Sequence, residues 1–551
     1  MQLTGGEALV KQLELEGVRQ IFGIPGVQLD YAMDALRRSG KINLKTTRNE
    51  QSTSYMADGY ARTSGRPGVC MVVPGPGVLN ALAGLSTAFA CNSRVLCVAG
   101  HIHSQAIGKG HGLLHEIKNQ SGVFDSVTKW HGCAMSVAEI PGLIRRAFVE
   151  MNSGRPGPVA VEIPQDILMA SGEVTLIDPP QHFDGRTKPQ EAAIRATADL
   201  LENAEFPVIY AGGGVLAARG GKALARLAER TGVPVIISEN ARGVLSDRHP
   251  LAFSTLEGRV LMPQADVALI VGTRFADTRA PEASWSMPGQ KYVYINVDPE
   301  AAGGAPRAPG LNVLADAGLA LDAIADEIEA RQGQRRTLDA AKVLKLRALA
   351  RAELDAVEPQ AAFVRAIRAA LPEDGIFVNE LTQVGYYARV AFPTYAPYTH
   401  LSPGHQGTLG YGFPTAIGAA VGSGKPVVCI TGDGGFGWCL QELSTARKYN
   451  IGIVTVVFAD GHFGNVRNMA NEQFGVAYQT ELGNPDFVAL AKAFGVRGVR
   501  VNDAAELEAE IRNAIAAGGP TLIEVPVGEM PSPWTVLRMK GKTSPEAPKF
   551  R

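Results

Sequence analysis

The chain reads as an α/β protein built from three open units with mostly parallel sheets. Three observations predict that class. Short apolar runs alternate with amphipathic or Ala-rich stretches almost throughout. Most of those runs end in Gly or Pro turns. The length, 551 residues, leaves room for roughly three or four domains of about 150 residues each.

The elements follow in order. The opening, MQLTGGEALVKQLELEG, reads as an amphipathic helix with acidic residues rather than a signal peptide. In the first unit, residues 1–171, the expected strands are Gln20–Gly23, Gly68–Val73, Arg94–Ala99 and Pro158–Ile163. Continuous apolar runs of this kind suit strands covered on both faces. Gly172 to Arg186 is rich in Pro and Asp and reads as a linker. The second unit, residues 187–332, has expected strands Pro207–Ala211, Val233–Ile236, Val267–Val271 and Tyr292–Val297. Gln332 to Ala356 is charged, Ala-rich and helical in pattern, and joins the third unit. That unit, residues 360–530, has strands near Ile376, Val427, Ile453 and Thr521. A tail, residues 531–551, carries Pro, Lys and Trp and reads as a cap or a loose end. The three units share one rhythm without a sequence-level repeat.

Composition sets bounds on function. Hydrophobic residues are 46% and charged residues 19%, as in ordinary globular proteins. A formal net charge of −1 provides no electrostatic footprint for nucleic acid, so anionic ligands must be recognised locally. Six cysteines, none in a CxxC pair, read as reduced thiols in a cytoplasmic protein. No apolar stretch approaches the ~20 residues of a membrane span.

The richest segment runs from Gly432 to His462. The apolar run Pro426–Ile430 leads into Gly432-Asp433-Gly434, a helix-like stretch follows, and a second apolar run ends in Ala459-Asp460-Gly461-His462. Two strands would then present two carboxylates, 27 positions apart in sequence, at their carboxyl ends. Magnesium takes oxygen ligands, usually one or two carboxylates plus phosphate oxygens. Glycines let backbone approach a ligand closely, and the helix after Gly434 would aim free N–H groups at an anion. Alone, a glycine-rich strand–turn–helix accounts for the GDG triplet; the second acidic turn shifts the balance towards a metal–diphosphate site.

This segment resembles the diphosphate-binding signature of thiamine-diphosphate (ThDP) enzymes. There GDG is followed, a couple of dozen residues on, by an asparagine pair. Here the pair is Ala459-Asp460, so Asp460 stands where asparagine is usual and the site is one charge more negative. The resemblance implies Mg2+ held by Asp433, Asp460 and the main-chain carbonyl of His462. Gly432, Gly434, Gly435, Phe463 and Gly464 would flank the diphosphate. Thr382 and Gln383, after the strand Ile376–Val378, would contact it by analogy.

A second stretch, Arg48-Asn49-Glu50 with Ala57-Asp58-Gly59-Tyr60-Ala61-Arg62, Pro74-Gly75-Pro76-Gly77 and Asn80, resembles the pyrimidine-binding domain of the same family. By that match Glu50 is the catalytic glutamate, sharing a proton with the pyrimidine ring; Pro25, Gly26, Pro76 and Asn80 join the cofactor set. A third, Gly404-His405-Gln406-Gly407-Thr408-Leu409-Gly410-Tyr411-Gly412, resembles the segment that bends the cofactor. Leu409 would be the apolar wedge, and the Gly407 carbonyl would accept from the pyrimidine amine.

His101, His103, His111 and His115 lie close in sequence but match no common zinc spacing. Solvated loop histidines are the bland alternative. Leu114-His115-Glu116-Ile117 falls where acetolactate synthases carry a glutamine facing the thiazolium, which singles out His115 as a donor or proton shuttle. Arg274-Phe275-Ala276-Asp277-Thr278-Arg279 resembles a flavin-contacting segment of acetolactate synthases, and the resemblance admits FAD as a further cofactor. Gly212 to Ala217 is a loose GxGxxA and, alone, weak grounds for a dinucleotide site.

Taken over nearly the whole chain, the sequence resembles the acetolactate synthase-like ThDP family. The resemblance implies pyrimidine-binding, central Rossmann-like and diphosphate-binding domains in that order. It implies a homodimer or homotetramer, with Glu50 and Asp433 of one active site on different chains. The implied activity is a carboligase: decarboxylation of a 2-oxo acid such as pyruvate, then acyl transfer to a second carbonyl. A non-ligating 2-oxo acid decarboxylase, an acyloin C–C lyase and an inactive cofactor-binding regulatory homologue are the alternatives. Arg467, Asn468 and Met469 would line the substrate pocket. Met469 stands where many acetolactate synthases carry tryptophan, which puts pyruvate as the native partner in doubt. No nucleic acid or membrane partner is expected.

Overall fold

The computed structural model describes residues 1–180, 185–275, 289–305, 310–331 and 340–531. The expected tail beyond 531, most of the flavin-like segment and the start of the joining helix lie outside these residues.

Three six-stranded sheets follow one another along the chain, and every pairing within them is parallel. The first runs, in spatial order, Asn43–Thr46, Gln20–Gly23, Gly68–Val72, Val95–His101, Val159–Pro164 and Trp130–Cys133. The second runs Ala252–Ser254, Val235–Ile237, Pro207–Ala211, Val267–Val271, Lys291–Asn296 and Leu311–Leu314. The third runs His400–Leu401, Ile376–Asn379, Val427–Gly432, Val454–Ala459, Thr521–Pro526 and Arg497–Arg500. Helices cover both faces, as parallel sheets require.

Two sequence expectations need correction. Gly172 and Glu173, assigned to the linker, belong with Ser171 to a strand antiparallel to Gln2–Thr4, and the first helix begins only at Gly5. That helix starts where it does because Thr4 and Glu7 cap it reciprocally. Six strands were also missed, and they are the two edges of each sheet. Asn43–Thr46, Trp130–Cys133 and Arg497–Arg500 contain no buried residue, whereas Ala252–Ser254 and His400–Leu401 are buried but only three and two residues long.

The first and third units are locked together within the chain. Helix Glu50–Ser64 crosses helix Gly412–Ser423 so closely that a methyl group on Gly59 would lie 2.1 Å from the Thr415 carbonyl oxygen. One on Gly418 would lie 2.0 Å from that of Met56. Tyr55, Tyr411, Phe413 and Phe436 fill a core that both units share. At the mouth of this contact the buried Glu442 carboxylate accepts from the Arg48 N–H at 3.0 Å, and the Tyr449 hydroxyl accepts from the Thr46 N–H at 2.8 Å. The third unit thereby holds the turn that carries Glu50.

Candidate active site

Asp433 and Asp460 each follow the carboxyl end of a strand, and those two strands are neighbours with Gly432 paired to Phe458. Open α/β sheets bind ligands outside the carboxyl ends of their strands, and the switch point of this sheet lies beside Asp433, between Ile376–Asn379 and Val427–Gly432. Asp433 is 3% exposed. Its Oδ2 accepts from the Gly461 N–H and from Asn484 Nδ2, both at 2.7 Å. Asp460 accepts from Gln383 Nε2 at 2.6 Å and from the His462 N–H at 2.9 Å. Burial, aided by the nearby Asp433 charge, holds the Asp460 carboxyl above its usual range. One buried and one half-buried carboxylate that repel each other make a favourable place for a divalent cation.

The backbone around them is shaped for a small ligand. His462 forms an isolated bridge with Glu481, whose bonds run through the Gly461 carbonyl and the Phe463 N–H. The His462 carbonyl stands outside that ladder. A methyl group on Gly464 would lie 2.2 Å from Asp460 Oδ2, and one on Gly434 would lie 2.8 Å from the Phe463 ring. Thr382 caps helix Gln383–Ala391 and faces Gly432, where a methyl group would be 3.6 Å from its Cβ. Gln383 is engaged with Asp460 on one side and accepts from the Met530 N–H on the other. Among the described residues no group of three or more His, Cys, Asp or Glu side chains gathers to hold a metal. Two carboxylates and a main-chain carbonyl do not need such a group.

Glu50 opens its helix, and Asn49 caps the same turn by accepting from the Gln51 N–H. Asn80 Nδ2 donates to Glu50 Oε2 at 3.0 Å, and a methyl group on Gly77 would lie 3.7 Å from the other carboxylate oxygen. Pro76 is the first residue of helix Pro76–Cys91, where its missing N–H costs nothing. The Pro25–Gly26 turn rests on Val73, the residue before Pro74. Glu50, Pro76, Asn80 and Gly26 are therefore one cluster, and Asp433, Asp460, His462 and Gly464 another. Among the described residues no hydrogen bond joins the two within the chain.

His115 belongs with the first cluster. Gly75 has φ +59, and a methyl group there would lie 2.3 Å from the His115 carbonyl oxygen. His115 itself has φ +68, an unusual backbone for a residue other than Gly. Its Nδ1 is buried and has no hydrogen-bond partner among the described residues. His101 and His103 instead face Glu162 and Asp166, at 3.7 and 3.5 Å, so the four histidines do not converge.

Leu409 is 38% exposed on the loop between Gly404 and Gly412, and Gly407, with φ +57, packs on Leu381. Arg467, Asn468 and Met469 lie on helix Gly464–Phe474, none of whose residues is buried; Arg467 lies 3.8 Å from Glu529. Phe275 is buried against Tyr210, and Arg274 bonds His405 Nδ1 at 3.1 Å.

Several supporting residues carried no motif. Gln120 accepts from the Gly75 N–H at 2.8 Å and donates to the Gly100 carbonyl and to Glu162, each at 2.9 Å. Glu162 was visible as one charge inside the apolar run Val159–Ile163. Gln28 donates to the Leu114 carbonyl at 3.3 Å. Asn484 and Glu442 had no sequence signal. Their roles arise from contacts between distant segments.

Comparison with known proteins agrees with this architecture. Residues 3–123, 194–324 and 382–525 match the N-terminal TPP binding domain, the central domain and the C-terminal TPP binding domain of thiamine pyrophosphate enzymes. The chain is 36% identical to a probable 2-ketoarginine decarboxylase of Pseudomonas aeruginosa, over 95% of this chain and 94% of that protein. It is 33% identical to a probable acetolactate synthase large subunit of Methanocaldococcus jannaschii, over 95% and 92%. With the acetolactate synthase isozyme 1 large subunit of Escherichia coli the identity is 29%, over 95% and 94%. Three matched domains in the expected order, and relatives aligned from end to end, establish that the chain belongs to the acetolactate synthase-like family of thiamine-diphosphate-dependent enzymes.

Proposed function

We propose that the chain decarboxylates a 2-oxo acid and transfers the resulting acyl carbanion to a second carbonyl, with Mg2+ held by Asp433, Asp460 and the His462 carbonyl. The observation that carries this reading is the pair of carboxylates on neighbouring strand ends, Asp433 buried and Asp460 half-buried, beside a glycine turn closed on Asp460. Bound thiamine diphosphate supplies an electron sink for the pair left when carbon dioxide departs. The chain supplies the rest. Glu50 holds a proton at its carboxyl group for the pyrimidine side. Leu409 would be the apolar wedge against the cofactor, and the Gly407 carbonyl would accept from its amine. Thr382 and the N-terminus of helix Gln383–Ala391 face the diphosphate. Arg467, Asn468 and Met469 border the substrate.

A second reading is release of the decarboxylated product as an aldehyde. It is favoured by His115, whose unpaired Nδ1 is a proton donor or acceptor next to the Gly75–Pro76 turn. The relative named as a 2-ketoarginine decarboxylase also supports it. FAD is not part of the proposal. The Gly212 and Gly214 backbone is closed against Gly272, and Arg274 is engaged with His405. A homodimer or homotetramer is proposed because, among the described residues, no hydrogen bond joins the Glu50 and Asp433 clusters within one chain. Leu114, Trp438, Phe474 and Tyr478 also present exposed apolar surface. No helix among the described residues is long and apolar enough to cross a membrane.

The test is carbon dioxide release from a panel of 2-oxo acids including pyruvate, with ThDP and Mg2+ added. Glu50→Gln is expected to lose about a hundredfold or more in kcat. Unchanged turnover in that variant refutes the role assigned to Glu50. With pyruvate, acetolactate as product supports the first reading and acetaldehyde the second.

A further inference from the structure

Glu380 follows the strand Ile376–Asn379 and is 2% exposed. Its Oε1 accepts from the Gly410 N–H at 2.8 Å, and its Oε2 accepts from the Gly412 N–H at 2.9 Å. The same carboxyl group occupies the space beside two glycines. A methyl group on Gly412 would lie 2.7 Å from Oε2, and one on Gly435 would lie 2.2 Å from Oε1. One buried side chain therefore touches both the loop that carries Gly407 and Leu409 and the short helix that begins at Asp433. Its other neighbours do not neutralise it. The Cys429 and Cys439 thiols are held well up, first by burial and then by the Glu380 charge. No basic side chain pairs with it among the described ion pairs. Burying a carboxylate costs several kcal/mol, and an apolar residue of the same size avoids that cost. What an apolar residue cannot do is accept two main-chain N–H groups from one loop.

We propose that Glu380 is a positioning residue that ties the wedge loop Gly407–Gly412 to the turn carrying Asp433. Its loss lets the two halves of the cofactor cradle drift apart. The inference rests on the roles given above to Leu409, Gly407 and Asp433. Glu380→Gln keeps the volume but turns an NH2 group towards one of the two N–H donors. Glu380→Asp keeps the charge but falls one methylene short of the loop.

The experiment uses the full-length protein with ThDP and Mg2+ as probes. It follows cofactor affinity, the near-ultraviolet circular dichroism of bound cofactor at saturation, and the melting temperature of the cofactor-free protein. In both variants the dissociation constant for ThDP is expected to rise about tenfold or more, and the cofactor band at saturation to change shape. Where the 2-oxo acid panel finds a substrate, kcat is expected to fall at least tenfold, with KM changed less than threefold. Affinity and band equal to wild type in either folded variant overturn the inference. So does a lowered melting temperature with affinity and band unchanged, which marks a purely structural role. Failure of the wild-type protein to bind ThDP refutes the proposed function instead, so the two failures are distinguishable.

Discussion

Gly464→Ala probes the proposed cation site without replacing any proposed metal ligand. Gly464 is the first residue of its helix, where alanine is otherwise the better residue by up to ~1 kcal/mol. Propensity alone therefore predicts a neutral or stabilised protein. Geometry predicts the reverse at the site. The new methyl group would lie 2.2 Å from Asp460 Oδ2 and 2.8 Å from Gln383 Nε2. Ordinary contact distances require a retreat of about 1 Å by the carboxylate oxygen. That retreat breaks the 2.6 Å bond from Gln383, and hydrogen bonds to charged groups contribute roughly 1.5–3 kcal/mol. Magnesium needs near-ideal octahedral distances and does not follow a displaced ligand. At 1.4 kcal/mol per decade, the expected loss is roughly 10- to 100-fold in Mg2+ affinity measured with ThDP present. Isothermal titration calorimetry reads the affinity, and far-ultraviolet circular dichroism checks that the fold is intact. Mg2+ affinity within twofold of wild type in the folded variant would refute the assignment of Asp460 as a ligand in this arrangement.

Leu409→Ala is expected to lower kcat about 10- to 100-fold through a misplaced cofactor, as small misplacements do. Because Leu409 is 38% exposed, the melting temperature should move little; a large fall in stability with normal kcat contradicts the wedge role. Gly75→Ala forces a side chain into φ +59 and onto the His115 carbonyl. It is expected to destabilise by about 1 kcal/mol or more and to shift the ratio of aldehyde to ligated product. An unchanged ratio argues against His115 as the proton source. Burial pushes the Glu380 carboxyl up to about 7, above its ordinary value of 4.5. The folded state therefore holds this proton to higher pH than the unfolded chain does. Stability is expected to fall as pH rises from about 4.5 to about 7, by ~3 kcal/mol from this group. Glu380→Gln should remove that part of the slope, and parallel pH–stability curves for the two proteins would contradict it.

The twelve strands legible in the sequence are the four inner strands of each sheet. Inner parallel strands are covered on both faces, so their apolar runs are continuous and stand out. Edge strands such as Asn43–Thr46 and Trp130–Cys133 are partly exposed, and their composition merges with that of loops. The site was legible in the same uneven way. Asp433, Asp460, Glu50 and Leu409 sit in glycine-marked turns whose spacing carries the pattern. Glu380, Glu162, Gln120 and Asn484 have no such marking, and what they do depends on partners 30 or more positions away in most of their bonds.

By itself the sequence determined the class, the run of three parallel sheets and the residue types at the strand ends, because burial and turn chemistry are local demands. Which edges close each sheet, which buried carboxyl groups brace the loops, and where His115 stands were decided only when distant segments packed. Hydrogen bonds such as Glu380 to Gly410 exist only between residues that the fold brings together.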